Sequence, residues 1–245
     1  MDSGYYAACT ALVSRAQELD TIANNLANVN TVGYRAEKNV FSSVLAGAGA
    51  SNGSVLNRAI NDYGVLSGTD LDLSQGALRK TGNDLDLAIQ GPGYFEVQTA
   101  NGQVYTRNGG FQVSSKGQLI TSTGDAVMGE RGTITMLPGP VSISADGTIS
   151  SNGAVTGKLR VVEFPAGTKL TSIGNSYYSA PPKTAVASTN SDVRQGMLES
   201  SNVNPIVGMV ELVTAQRSAE MMQRALSMFN SEIDKTATQD LPKVS

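Results

Sequence analysis

Two long stripes of apolar residues, one at each end of the chain, recur at steps of three and four. At the N-terminal end the series is Tyr5, Ala8, Leu12, Leu19, Ile22, Leu26 and Val29, interrupted only by Arg15. An α-helix turns once in 3.6 residues, so such a series lies on one face and predicts a helix from residue 3 to about 29, capped by Asp2 or Ser3. Ala16 and Ala23 beside the stripe leave room for a neighbouring helix, and Gly33 is placed for a helix stop. At the other end, after Asn204-Pro205, the residues Leu212, Ala215, Ala219, Met222, Leu226, Phe229 and Ile233 form an unbroken heptad series. Each helix would run roughly 40 Å at a rise of 1.5 Å per residue, so the two could lie side by side. A helix with a single apolar seam is unstable alone. The two ends are therefore expected to pair as a coiled-coil-like module and to pack against further subunits.

Between the two ends the period changes to two. Leu85, Leu87 and Ile89 alternate with Asp86 and Ala88, and Phe95 and Val97 alternate with Glu96 and Gln98. Short runs continue to Phe164, separated by turn pairs such as Asn101-Gly102, Lys116-Gly117, Asp146-Gly147 and Asn152-Gly153. This pattern predicts a hairpin-rich β domain, a sandwich or irregular barrel. The fold class is α+β: residues 1–45 and 199–245 supply the helical module, 46–70 a linker, and 71–198 the β domain. The linker is read from the Ala, Gly and Ser run at 46–54. Residues 165–195 are polar and weakly patterned, and no element is assigned there.

Composition narrows the function classes. Charged residues are 16% of the chain, below the usual quarter, and the net charge is −3 with Lys and Arg scattered singly. That argues against nucleic acid as a partner, since phosphates are held by clustered basic side chains. No stretch approaches the ~20 apolar residues that span a bilayer. Met1-Asp2-Ser3-Gly4 does not open a cleavable secretory signal pattern. Cys9 is the single cysteine and histidine is absent, which removes cysteine metal clusters and every His-dependent nucleophile mechanism.

Motifs that resemble chemistry fail on context. Gly49-Ala50-Ser51-Asn52-Gly53 matches a nucleophile elbow by letter, but the flanks are linker-like and no His exists to take the Ser51 proton. Asp70-Leu71-Asp72 and Asp84-Leu85-Asp86 lack the alternating oxygen ligands, glycine and glutamate of a calcium loop and read as outward carboxylates on strands. Gly91-Pro92-Gly93 sits between two strands and reads as a tight turn. No catalytic, cofactor or metal site is expected. A hydrolase using Ser51, or a β-domain binding module that its helices merely oligomerise, are the rival readings.

One stretch is physically odd. Ala23-Asn24-Asn25-Leu26-Ala27-Asn28-Val29-Asn30-Thr31-Val32-Gly33-Tyr34-Arg35 places four asparagines at the end of an amphipathic helix, where their amides compete with the backbone. Either the amides cap and fray the helix end, or they bond neighbouring subunits; the residues alone leave both open. The stretch resembles the N-terminal signature of the bacterial flagellar rod, hook and hook-associated proteins. The resemblance continues through residues 76–95, through Tyr105-Thr106-Arg107-Asn108-Gly109-Gly110-Phe111 and Gly117-Gln118-Leu119, and into Leu198-Glu199-Ser200-Ser201-Asn202-Val203-Asn204 with Gln216-Arg217. Length and the opening residues are more similar to the proximal-rod members than to the distal-rod subunit or to the hook protein with its inserted domains. Pro205 and Gly208 depart from the more helical residues usual there.

The resemblance implies a structural subunit exported unfolded by the flagellar type III apparatus without signal cleavage, resident in the rod within the periplasm. Its terminal helices would pack with copies of itself and other rod subunits around a channel and transmit torque, while its β domain would form an outer layer. The assembly residues it points to are Leu12, Leu19, Ile22, Asn24, Asn25, Leu26, Asn28, Asn30, Thr31, Gly33 and Tyr34 at one end. At the other they are Asn202, Asn204, Leu212, Gln216, Arg217, Met222, Leu226, Phe229 and Ile233.

Overall fold

A computed structural model of the chain describes residues 2–42 and 65–239. The Ala, Gly and Ser run at 46–54, with Ser51, lies outside these residues. The chain divides into two compact units, one made of Met1–Leu26, Lys38–Thr69 and Pro205–Ser245, the other of Ala27–Glu37 and Asp70–Asn204.

The first unit is helical with one small sheet. Helix α1 (Asp2–Ala27) and helix α2 (Pro205–Gln239) occupy the two segments whose apolar spacing predicts them. They are 26 and 35 residues long, or about 39 and 52 Å. On α2 the predicted stripe does turn inward: Ala215 and Ala219 are buried, and Leu212, Met222 and Leu226 are half-buried. Gly208 joins this face, and a Cβ added there would meet Leu26 Cδ1 of α1 at 3.9 Å. Strand β1 (Glu37–Ser42) pairs with β2 (Val65–Leu71). The last part of the expected 46–70 linker is thus a strand. Composition missed it because its partner lies more than twenty residues upstream. Thr21 Oγ1 of α1 donates to Asn39 Oδ1 of β1 at 3.0 Å. No helix among the described residues is long and apolar enough to cross a membrane.

The second unit is built of strands. It runs through β3 (Leu78–Lys80), β4 (Leu87–Gln90), β5 (Tyr94–Thr99), β6 (Gly102–Thr106), β7 (Gln112–Val113), β8 (Leu119–Ile120) and β9 (Ala126–Gly129). It continues with β10 (Gly132–Thr133), β11 (Val141–Ile143), β12 (Thr148–Ser151), β13 (Ala154–Lys158) and β14 (Val161–Glu163). The unassigned 165–195 stretch holds β15 (Thr171–Ser172), β16 (Tyr177–Ser179), β17 (Val186–Ala187) and β18 (Asp192–Gln195), and β19 (Met197–Glu199) closes the unit. Pieces this short carry no period a sequence can display; Asn175 and Ser176 even turn through positive φ.

The main sheet runs β15-β16-β6-β5-β9-β8-β7, with β10, β14 and β17 attached to its side. Its centre is the β5–β6 hairpin, in register at Phe95↔Thr106 and Val97↔Val104. Strands β11, β12 and β13 form a separate three-stranded sheet. The core gathers Leu87, Ile89, Phe95, Phe111, Leu119, Val127, Ile149 and Leu159, all nearly or fully buried. These include the alternating residues that predicted the first strands. The acid pair at 84–86 is a correction: Asp84 and Leu85 form a turn before β4, and Asp86 makes an isolated bridge to Gly110. The Leu85 N–H donates to Asn83 Oδ1 at 3.4 Å, an Asx-type contact that favours a turn over a strand, and Asn83 Nδ2 donates to Asp86 Oδ1 at 3.0 Å. Gly91-Pro92-Gly93 is the bend between β4 and β5, as expected.

The first strands of this unit pair with its last ones. β4 is antiparallel to β18 (Gln90↔Asp192 to Leu87↔Gln195), and β3 to β19 (Leu78↔Glu199). Residues entering and leaving the β unit are thereby brought together.

Candidate functional site

At that meeting point Ala27–Glu37, the segment that follows α1, is drawn into the β unit. Gly33, Tyr34 and Arg35 are buried there. Gly33 has φ +68, a left-handed conformation, and a Cβ on it would stand 2.3 Å from the Asn108 nitrogen. Only glycine satisfies both the twist and the approach. The Gly33 N–H donates to the Glu199 carbonyl at 2.8 Å. The Tyr178 hydroxyl accepts from the Arg35 N–H at 2.9 Å and donates to the Gly33 carbonyl at 3.1 Å, while Ser176 Oγ donates to the Val32 carbonyl at 3.1 Å.

The centre of the joint is Glu199, which is fully buried. Its Oε1 lies 2.7 Å from Arg35 Nη1 and accepts the Gly76 N–H at 2.8 Å; its Oε2 takes Arg107 Nη1 at 3.2 Å. Arg35 and Arg107 are also buried, so one carboxylate answers two guanidinium groups. Arg107 donates from Nη2 to the Gly91 carbonyl at 2.7 Å and lies 4.7 Å over the Tyr94 ring. Burial lowers its pKa, with Glu199 opposing. Arg35 is held less well: Nε and Nη2 find no hydrogen-bond partner, and Nη1 meets Glu199 outside hydrogen-bond geometry.

Asn202 makes the third tie. Its Oδ1 accepts the Ala36 N–H at 2.7 Å, and its Nδ2 donates to the carbonyls of Asp72 at 2.8 Å and Ser74 at 3.0 Å. One amide thereby spans three strands' ends. Tyr34 hydrogen-bonds Asn28, and its pKa is pushed up to about 12, chiefly by burial and secondarily by Glu37. Thr31 Oγ1 donates to Asn28 Oδ1 at 3.1 Å, and the Thr31 N–H to the Asn28 carbonyl. These bonds answer part of the asparagine question: Asn28 acts within its own chain at the helix end.

The expected assembly residues therefore separate. Gly33, Tyr34, Asn28, Thr31 and Asn202 serve the joint. Leu12, Leu19, Ile22 and Leu26 are half-buried on α1 with Asn25, while Asn24, Asn30 and Asn204 are exposed. On α2, Leu212, Met222 and Leu226 face inward, and Gln216 and Arg217 outward. Phe229 and Ile233 lie on the same helix, their side chains outside the described residues.

Two features escaped sequence reasoning. One is the Arg35–Glu199–Arg107 cluster; its signal was a charge placed inside each matched motif. The other is a second stripe on α2, where Ile206, Val210, Val213, Met221 and Met228 are all exposed and recur by threes and fours through Arg217 and Arg224. Val207 and Met209 widen it at the helix start. Heptad reading sees one seam at a time and took the more regular one. Neither feature offers chemistry: both Glu199 oxygens are occupied, and no cluster of metal-ligating side chains occurs among the described residues. A cleft of about 170 Å³ beside the joint, lined by Thr31, Asn108, Thr121, Thr123 and Tyr177, holds hydroxyls bonded to one another.

Comparison with known proteins agrees with this layout. Residues 6–35 match the model of the flagella basal body rod protein, residues 88–156 that of the flagellar hook protein FlgE/F/G D1 domain, and residues 194–239 that of the flagellar basal body rod FlgEFG protein C-terminal region. The flagellar basal-body rod protein FlgF of Caulobacter vibrioides is 33% identical over 100% of both chains. FlgF of Mesorhizobium japonicum is 34% identical over 96% of each. FlgG of Bacillus subtilis is 32% identical over 91% of this chain and 93% of its own. With relatives of this identity matched from end to end, the chain belongs to the flagellar basal-body rod proteins, a family of structural subunits, and is of the FlgF kind.

Proposed function

We propose that this rod subunit enters the rod through its helical unit, with the two faces of α2 doing different work. The inward stripe (Leu212, Ala215, Ala219, Met222, Leu226) pairs α2 with α1 as a coiled-coil-like module. The outward stripe (Ile206, Val210, Val213, Met221, Met228) meets helices of neighbouring rod subunits, with Gln216, Arg217, Asn24 and Asn30 adding polar contacts. The observation that supports this reading is the exposure of five large apolar residues in helical register; Ile206 is 74% and Met228 68% exposed. Burying each such side chain contributes about 1.5–3 kcal/mol. A helix leaving that much apolar surface bare is suited to a partner. In this reading the helices surround the rod's channel, the subunit crosses to the periplasm unfolded and uncleaved through the flagellar export apparatus, and the assembled rod transmits torque. The FlgF matches span the chain end to end, so a distal-rod or hook-type role is not preferred.

The test is Val210→Asp in the motile host. Val210 is exposed, so the subunit should fold, be exported and accumulate at the wild-type level while failing to enter basal bodies, leaving cells non-motile. Wild-type swimming by Val210→Asp would remove the outward stripe from the assembly surface.

A further inference from the structure

We propose that Glu199 is an electrostatic latch that keeps the β unit open at its two chain ends until the C-terminal part of the unit is in place. Three segments converge on this residue: the Gly33 N–H donates to the Glu199 carbonyl and the Arg35 guanidinium meets its carboxylate, the Gly76 N–H donates to that carboxylate, and Arg107 ion-pairs with it. All of them lie more than ninety residues upstream. Arg35 and Arg107 are both buried, and Glu199 is the only acidic group ion-paired to either among the described residues. Until it arrives, closing the joint would bury two like charges with no counter-ion, which an interior of low dielectric strongly disfavours.

Neutral parts of the joint point the same way. Tyr178 and Asn202, which hold Arg35 and Ala36 by their N–H groups, also come from the last third of the chain. The core hairpin β5–β6 does not involve Glu199 or Asn202. Its own register runs from Phe95↔Thr106 to Thr99↔Gly102 across a local turn, with β9, β14 and β16 pairing onto its outer edges. The geometry thus separates a core that can form early from a joint that can close only late. The same asymmetry holds in the finished fold: two arginines share one carboxylate, so losing either arginine leaves a balanced pair, whereas losing Glu199 leaves two bare cations.

Hydrogen exchange on the full chain tests this. In pulse labelling during refolding, the Gly33, Arg35 and Ala36 amides should gain protection together with those of β19 and after those of β5 and β6. Protection of Gly33 and Arg35 before β19 would overturn the latch. At equilibrium, Glu199→Gln should speed exchange at Gly33, Arg35 and Ala36 at least a hundredfold. The triple variant Arg35→Met, Glu199→Gln, Arg107→Met, which carries no unpaired charge, should recover most of that protection. If Glu199→Gln unfolds the whole unit, recovery by the triple variant supports the same conclusion. Equal loss in both variants, or unchanged protection in Glu199→Gln, would show ordinary packing instead.

Discussion

The joint around Glu199 and the outward face of α2 use opposite kinds of surface. In the joint, polar and charged groups are buried, and the chain answers many of them itself: carbonyl to N–H, hydroxyl to carbonyl, carboxylate to guanidinium. On α2, a stripe of large apolar side chains is exposed. Buried polar groups must be matched at short range and defined angle, so they specify one arrangement within a chain. Apolar surface is satisfied by any well-fitting apolar partner, so an exposed stripe of this kind suits association, as the proposed function has it.

The comparison breaks most easily at Glu199. Glu199→Gln should destabilise the β unit by about 3–5 kcal/mol, because removing one member of a buried ion cluster strands the others. Arg35→Met should cost far less, about 1 kcal/mol, since Arg107 still pairs with the carboxylate. Urea unfolding of the two variants compares them directly, and equal losses would mean that charge balance does not organise the joint.

Gly33→Ala comes next, at about 3 kcal/mol, combining left-handed strain of about 1–2 kcal/mol with a clash against backbone. Its thermal midpoint should drop by more than that of any substitution on the α2 stripe. Alkaline titration probes the same place. Burial raises the Tyr34 pKa to about 12 from 10.0, so its neutral form is favoured in the folded state. The contribution is fully present below pH 10 and is lost as pH rises through about 12. Unfolding followed across that window should show a steeper loss in the wild type than in Tyr34→Phe.

On the other side of the comparison, Val210→Asp should change the stability of the isolated subunit by no more than about 0.5 kcal/mol, as an exposed substitution, while abolishing rod entry. A large stability loss would place the stripe inside the subunit instead. Gly208→Ala is the mildest change. The added methyl would sit at ordinary contact distance from Leu26, and helix propensity improves by up to about 1 kcal/mol. Circular dichroism of the helical unit should show a small gain.

Much of this protein could be read directly from its residues. The helices at both ends follow from the three-and-four spacing of Leu12, Leu19, Ile22 and Leu26 and of Leu212, Ala215, Ala219, Met222 and Leu226. The β character of the middle follows from alternation such as Leu87, Ile89, Phe95 and Val97. These signals are local: each helix or strand face repeats within a few residues, so the period survives in the bare sequence. The family resemblance was carried by motifs that are contiguous, for the same reason.

Tertiary structure alone decided what the motifs are for. The asparagine-rich segment ends in Gly33, Tyr34 and Arg35, which fold into the β unit against Glu199 and Asn202 instead of remaining with the helix that precedes them. The strand Val65–Leu71 exists because β1 pairs with it, and the short strands of 165–195 because the main sheet and β4 accept them. The outward stripe of α2 became visible only once the inward one was seen to be buried. Each of these depends on a partner distant in sequence, and contacts of that kind leave no period behind. Residue types and their spacing determine which elements form; which face is satisfied and which is left open is set by where the chain brings its distant segments together.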